Sequence, residues 1–304
     1  MSSPHITNLL TYDYKQDMIF SPIKSENVPG GNMTFKRINI TTRLPDGSEG
    51  ELIFKTPGKN HFCFGIKEFL NERGDVNGRS MGICIWSKDS PSDEEKLWAE
   101  KFEGMMDWCL EHIISVKVEL GLPKLTKDKL EDGFSPLFWK EDPQTGKRVA
   151  GQGPVLNAKV WESKGRIRTV FHEVTGEERR GKRTVRKTVP IIDPAAALLK
   201  QYCSVEAAMT LDSLYIGGYK RPQLKLYHVV AKMNHRGPRD VLINVDEDED
   251  DDDVIGNHAE EQEKQAERKE EERKEDDIEN SDNEAEKKEE VKPKKIVKRK
   301  KAAA

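Results

Sequence analysis

Residues 155–187 read VLNAKVWESKGRIRTVFHEVTGEERRGKRTVRK. Successive side chains of a strand point to opposite faces, so alternation sorts this stretch. Over 156–161, Leu156, Ala158 and Val160 fall on one side, and Asn157, Lys159 and Trp161 on the other. Over 166–171, Arg166 and Arg168 oppose Ile167, Thr169 and Phe171. One side of each run is apolar enough to be buried, and the other is left open. The segment 176–184, GEERRGKRT, is a Gly-flanked cationic hairpin tip. From Lys159 to Lys187 there are ten basic and four acidic residues.

Outward from this stretch the β pattern continues. Strands are expected at 33–43, 51–56, 61–69 and 81–86 before it, and at 186–192, 210–216 and 224–233 after its start. Pro45-Asp46-Gly47 marks a turn that brings 51–56 back on 33–43. In 224–230, Leu224, Leu226 and Val230 are expected to face in, and Lys225 and Tyr227 out. Short strands joined by short turns predict a meander or barrel rather than βαβ units. One long helix interrupts them. Ser92 and Glu95 form a capping-box start, and Trp98, Phe102, Met105, Cys109, Ile113, Val116 and Leu120 recur at spacings of four and three. That is one apolar face, closed by Gly121 and Pro123. It predicts about 28 helical residues, roughly 40 Å long. Cys109 reads as an inert buried thiol. The connection 123–153 reads as loop anchored by Phe138-Trp139, and Asp193-Pro194 opens a short second helix.

Composition divides the chain. Of 304 residues, 35% are hydrophobic and 35% charged, too polar for a globular chain throughout. The net charge of −4 conceals a body (1–245) of +6, an acidic arm (246–290) of −17 and a basic tip (291–304) of +7. The expected organisation is a loosely held N-terminal arm at 1–30, a β-rich domain at 31–240, a disordered acidic arm and the basic tip. No run of about 18 apolar residues is present for a membrane span. The N-terminus lacks a secretory pattern, and the four scattered cysteines suit an intracellular, reducing setting. KPKKIVKRKK at 292–301 is similar to a nuclear-localisation segment.

Catalytic signatures are absent. The seven histidines show no metal-ligand spacing, and no Gly-rich phosphate loop or nucleophile elbow occurs. The expectation is therefore a binding protein, not an enzyme, with no cofactor and no metal. A sheet face that sets cations beside Trp or Tyr suits single-stranded nucleic acid, because cations follow phosphates and aromatic rings accept any base. The candidate residues are Lys159, Arg166, Arg168, Arg180, Lys182, Arg183 and Arg186 for phosphates, and Trp161 and Tyr227 for stacking. The alternative is a chaperone or scaffold for basic proteins acting through 246–290.

Five short pieces carry a resemblance: GICIW at 82–86, GPVLNAK at 153–159, RTVF at 168–171, LYIGG at 214–218 and the hydrophobic last strand. In this order, over about 30–235, the chain resembles the single-stranded DNA-binding proteins of nucleocytoplasmic large DNA viruses. The resemblance implies a β-rich, OB-like core, and with the long helix the expected fold class is α+β. It implies a protein that coats exposed DNA strands in viral replication or recombination, in the nucleus, a cytoplasmic viral factory or the virion. Replication proteins are the expected partners of the acidic arm, with no membrane partner and with oligomerisation left open. Phage and bacterial single-strand binders commonly end in an acidic tail with a final aromatic residue. This chain ends instead in Lys301 and three alanines.

Overall fold

The computed structural model describes residues 4–27, 34–71, 73–87, 90–131, 133–163, 165–180 and 183–233, with the backbone alone at 179, 180, 183 and 184. Lys182, the acidic arm and the basic tip lie outside the described residues. The chain begins with α1 (Tyr14–Asp17), β1 (Met18–Phe20), β2 (Lys24–Asn27), β3 (Thr34–Arg43), β4 (Glu49–Gly50) and β5 (Ile53–Lys55). A hairpin of β6 (His61–Leu70) and β7 (Val76–Cys84) leads to α2 (Asp93–Ser115). Then come α3 (Asp128–Glu131), β8 (Leu137–Phe138), β9 (Val155–Val160), β10 (Glu162–Ser163) and β11 (Arg166–Ile167). The described part closes with β12 (Val170–Arg180), β13 (Arg183–Pro190), α4 (Pro194–Leu198), β14 (Cys203–Ile216) and β15 (Lys220–Met233). The fold is mostly sheet with few helices.

The β14–β15 hairpin is the spine. Its strands pair antiparallel from Cys203 opposite Met233 to Ile216 opposite Lys220. Along the other edge of β14, residues 203–205 pair with β6, 208–210 with β5 and 213–216 with β3. Along the other edge of β15, Lys225 and Leu226 run parallel to Lys159 and Val160 of β9, and 228–231 run parallel to β12. β9 pairs antiparallel with β7, and β7 with β6. Hydrogen bonding therefore returns on itself through β6, β7, β9, β15, β14 and back to β6. Inside this ring lie Cys63, Ile66, Met81, Ile83, Leu156, Ala158, Cys203, Val205 and Leu226, all buried. A closed ring leaves its strands few open edges and gives their alternating apolar residues one interior.

Close packing enforces the closure. β6 carries an irregularity between Cys63 and Ile66, where Gly65 takes φ +79°. A Cβ at that glycine would lie 2.4 Å from the Leu198 carbonyl oxygen. The end of α4 passes directly over it, and the Lys200 N–H donates to the Ile66 carbonyl at 3.0 Å. As the Asp-Pro signal predicts, Asp193 caps α4 by accepting from the Ala196 N–H.

α2 starts at the expected capping box, with Ser92 Oγ accepting from the Glu95 N–H and the Glu95 carboxylate accepting from the Ser92 N–H. Its 23 residues span about 34 Å, shorter than expected. Val116 leaves the helical region at φ −101°, ψ 11°, and turns carry the chain to Gly121 at φ +72°. The apolar face is core, as expected. Trp98 stacks on Phe102 at 5.2 Å, both meet Phe54, and the Trp98 indole N–H donates to the Lys55 carbonyl at 2.8 Å.

Several expectations are corrected. Residues 4–27 are not a loose arm: Leu9, Tyr12 and Met18 enter the core, and the Tyr12 hydroxyl lies 2.9 Å from that of Thr42. Burial pushes that phenol up to about 12. Only β4 returns on β3, whereas β5 joins β14, which lets Leu52, Ile53 and Phe54 all be buried. The strand expected at 166–172 is two pieces. The Arg168 and Thr169 N–H groups both donate to the Trp161 carbonyl, and β10 pairs with β11 as a separate two-stranded sheet. Val229, not Val230, faces in. Ala208 opposes His228 and Met209 opposes Leu226, leaving Tyr227 as an extra residue that resets the alternation. In the 123–153 connection Leu130, Phe134 and Leu137 enter the core and Trp139 packs against it, while Phe138 is exposed.

Candidate functional site

The outer face of the ring is where alternation puts its polar side chains. Lys159 on β9 is exposed and stands opposite Lys225 on β15. Its ammonium donates to Gln223 Oε1 at 3.0 Å. Trp161 follows two residues on and is half-buried, as is Tyr227 two residues beyond Lys225. Adjacent parallel strands thus carry a Lys-x-aromatic pair each. Arg166 and Arg168 are exposed at the β10–β11 excursion beside them.

Of the remaining predicted cations, Arg180, Arg183 and Arg186 lie on the β12–β13 ribbon. Arg180 and Arg183 are cross-strand partners at its end. Arg186 is half-buried and held by Glu206 at 3.4 Å, Glu177 at 3.8 Å and the Asn60 side chain at 3.1 Å. Arg186 is thus committed to intramolecular partners. Beside it, His172 Nδ1 lies 2.8 Å from His228 Nε2. Burial, then His172 and Lys55, hold His228 below the ordinary 6.5, against Glu206.

Sequence reasoning missed two groupings. Phe62 and Phe64 on β6 meet Tyr202 just before β14: Phe62 stacks on Tyr202 at 5.6 Å, and Phe64 meets both rings edge-on. Phe64 lies over Gly82, where a Cβ would come within 2.9 Å of its ring. The alternation in HFCFGIK at 61–67 was a usable signal for the first two rings, but Tyr202 is too distant in sequence to be linked to them. The second grouping continues the cationic row onto β14 and β3. Asp212 accepts from Lys225 at 2.8 Å and pairs with Arg37 at 3.5 Å. Phe35 and Tyr215 meet at 4.9 Å, with the Arg37 guanidinium over Phe35.

Burial disfavours the thiolate form at three of the four cysteines. Burial and the facing Cys203 push Cys63 up, burial alone raises Cys84 to about 12, and Cys109 is raised as well. All three stay protonated at neutral pH. Among the described residues no three His, Cys, Asp or Glu side chains cluster as metal ligands, and no helix is long and apolar enough to cross a membrane.

The model of a family described as a protein of unknown function (DUF2738) matches residues 11–288. The chain is also similar to the "Early 31 kDa protein" of Frog virus 3 (isolate Goorha), 25% identical over 171 residues, which cover 55% of this chain and 59% of that protein. The chain thus matches rather more than half the length of this relative.

Proposed function

The chain belongs to that family of unknown function, and we propose that it binds single-stranded DNA with little sequence preference, through the outer face of an OB-type barrel. We place this work in viral DNA replication or recombination. The observation that carries the reading is the pairing circuit. Taken in chain order, the ring strands β6, β7, β9, β14 and β15 connect first–second–third–fifth–fourth–first, with the third and fifth parallel. This order supports an OB-type reading, and OB folds bind oligonucleotides on their second and third strands, between the first–second and fourth–fifth loops. Here those strands carry Gly82, Asn157 and Lys159, with Phe64 alongside. The loops at 71–75 and 217–219 are flanked by Lys67 over Phe69 and by Arg221 over Tyr219. Cations beside rings suit phosphates and bases. The reading requires no covalent chemistry.

A fluorescence-anisotropy titration with labelled oligo-dT tests it directly, and lack of binding at low salt would sink the reading. Trp161→Ala is expected to weaken binding by about 1–3 kcal/mol, as is the Phe62→Ala/Phe64→Ala pair. Thermal melts run alongside separate lost contacts from lost folding. A Trp161→Ala protein that melts far below the parent would make that indole a packing residue.

We assign the acidic arm a modulating role on charge alone. A body of +6 and an arm of −17 attract when tethered in one chain. Truncation after Val245 is expected to tighten oligo-dT binding severalfold at low salt, with the gain shrinking as salt rises. Deleting only 291–304 is expected to weaken it. Unchanged or weaker binding after truncation at 245 would favour the second reading, in which the arm recruits replication proteins or chaperones basic ones.

A further inference from the structure

We propose that Asp212 is a phosphate mimic: its carboxylate occupies a phosphodiester subsite on the outer sheet face and is displaced when single-stranded DNA binds there. The inference rests on the nucleic-acid reading above and goes beyond it, because it assigns a subsite on β3 and β14, outside the second and third ring strands, together with a residue that sets its affinity.

The geometry begins with an irregularity in β14. Leu211 opposes Leu224 and Ser213 opposes Gln223, so Asp212 is the extra residue on its strand. Leu211 and Ser213 on either side of it are buried, while the bulge turns Asp212 out onto the face. One oxygen, Oδ2, then meets three cationic or hydroxyl groups. Lys225 Nζ lies at 2.8 Å, Arg37 Nη1 at 3.5 Å and Ser213 Oγ at 3.0 Å. An ammonium, a guanidinium and a hydroxyl converging on one anionic oxygen form the donor set of a phosphate site. The side chains of Lys225, Arg37 and Asp212 are 23%, 26% and 38% exposed, so the cluster is half-buried, and solvent can still reach it.

Its flanks match the same ligand. Towards β9, Lys225 stands opposite Lys159, the cation at the centre of the proposed interface. Towards β3, the Phe35–Tyr215 ring pair lies next to Arg37, whose guanidinium is 5.5 Å from the Phe35 centroid. A strand leaving Lys159 would therefore meet a phosphate position and then an aromatic pair, at the cost of expelling one carboxylate. Glu26 also pairs with Arg37 at 3.4 Å. That contact keeps the guanidinium oriented once Asp212 has moved.

Asp212→Asn preserves size and the accepting oxygen while removing the competing charge. Removing a like charge a few ångströms from a phosphate is expected to tighten oligo-dT binding by about tenfold at low salt. The log–log salt slope should steepen by roughly 0.7, one further phosphate contact. Lys225→Gln should cost little in the parent, where Asp212 already neutralises the lysine, and considerably more in the Asp212→Asn background. A parent that binds while Asp212→Asn binds no tighter overturns the subsite, and so does a variant that fails to fold. In either case Asp212 is a structural ion-pair residue joining β3, β14 and β15. If neither protein binds oligo-dT at low salt, the nucleic-acid reading has failed, and the subsite falls with it.

Discussion

Oligo-dT affinity of the intact chain is expected to fall by about two orders of magnitude between 50 and 200 mM salt. Each phosphate neutralised on a single strand releases condensed counterions and contributes roughly −0.7 to the log–log slope, so about five contacts give about −3.5. The estimate of five is lower than the number of cations near the site, for a structural reason. Arg186 is held by Glu206 and Glu177, and Lys225 and Arg37 share Asp212. A cation already neutralised by a carboxylate neutralises less phosphate charge and so releases fewer of the strand's condensed counterions. Lys159, Arg166 and Arg168, all exposed, are expected to contribute most. Equilibrium titrations at four or five salt concentrations give the slope. Tight binding with a flat response would remove the basic face from the interface and leave stacking to account for the affinity.

Gly65→Ala is expected to destabilise the domain by roughly 3 kcal/mol or more, enough to lower the melting temperature by many degrees. Two costs add at this position. The backbone sits at φ +79°, a region that residues with a Cβ enter only under strain. The new methyl would also lie 2.4 Å from the Leu198 carbonyl oxygen and 2.6 and 2.7 Å from the backbone oxygen and nitrogen of Gln201. Backbone atoms cannot rotate away as a side chain can, so α4 would be forced off β6, close to the β6–β14 pairing that closes the ring. Gly58→Ala is the control. It has a similar φ of +61° but nothing within 4 Å of its Cβ, and about 1 kcal/mol is expected. Melts followed by circular dichroism compare the two. Equal, small losses would show that α4 does not hold the ring.

The sequence alone determined the local elements and the charge layout. The capping box at Ser92, the apolar stripe from Trp98 to Ile113 and the Asp193 cap are set by neighbours within a turn or two, and each is found where expected. So is the alternation in 156–160, because a strand with one buried face shows its period in sequence. The division of charge into a basic body, an acidic arm and a basic tip is composition and needs no fold. Tertiary structure decided which strand edges meet, because strand pairing is non-local and nothing in residues 53–55 says that they join β14 rather than β3. It decided the facing of Val229, since the bulge at Tyr227 arises from the curvature of a closing sheet and leaves no mark in the apolar pattern. It also brought Phe62 and Phe64 to Tyr202, and Arg37 to Asp212 and Lys225, across gaps in sequence that periodicity cannot bridge. Alternation assigns a side chain to the outside. Only closure of the ring, which gives the outside its curvature and its neighbours, decides which outward side chains share a surface that one strand of DNA could follow.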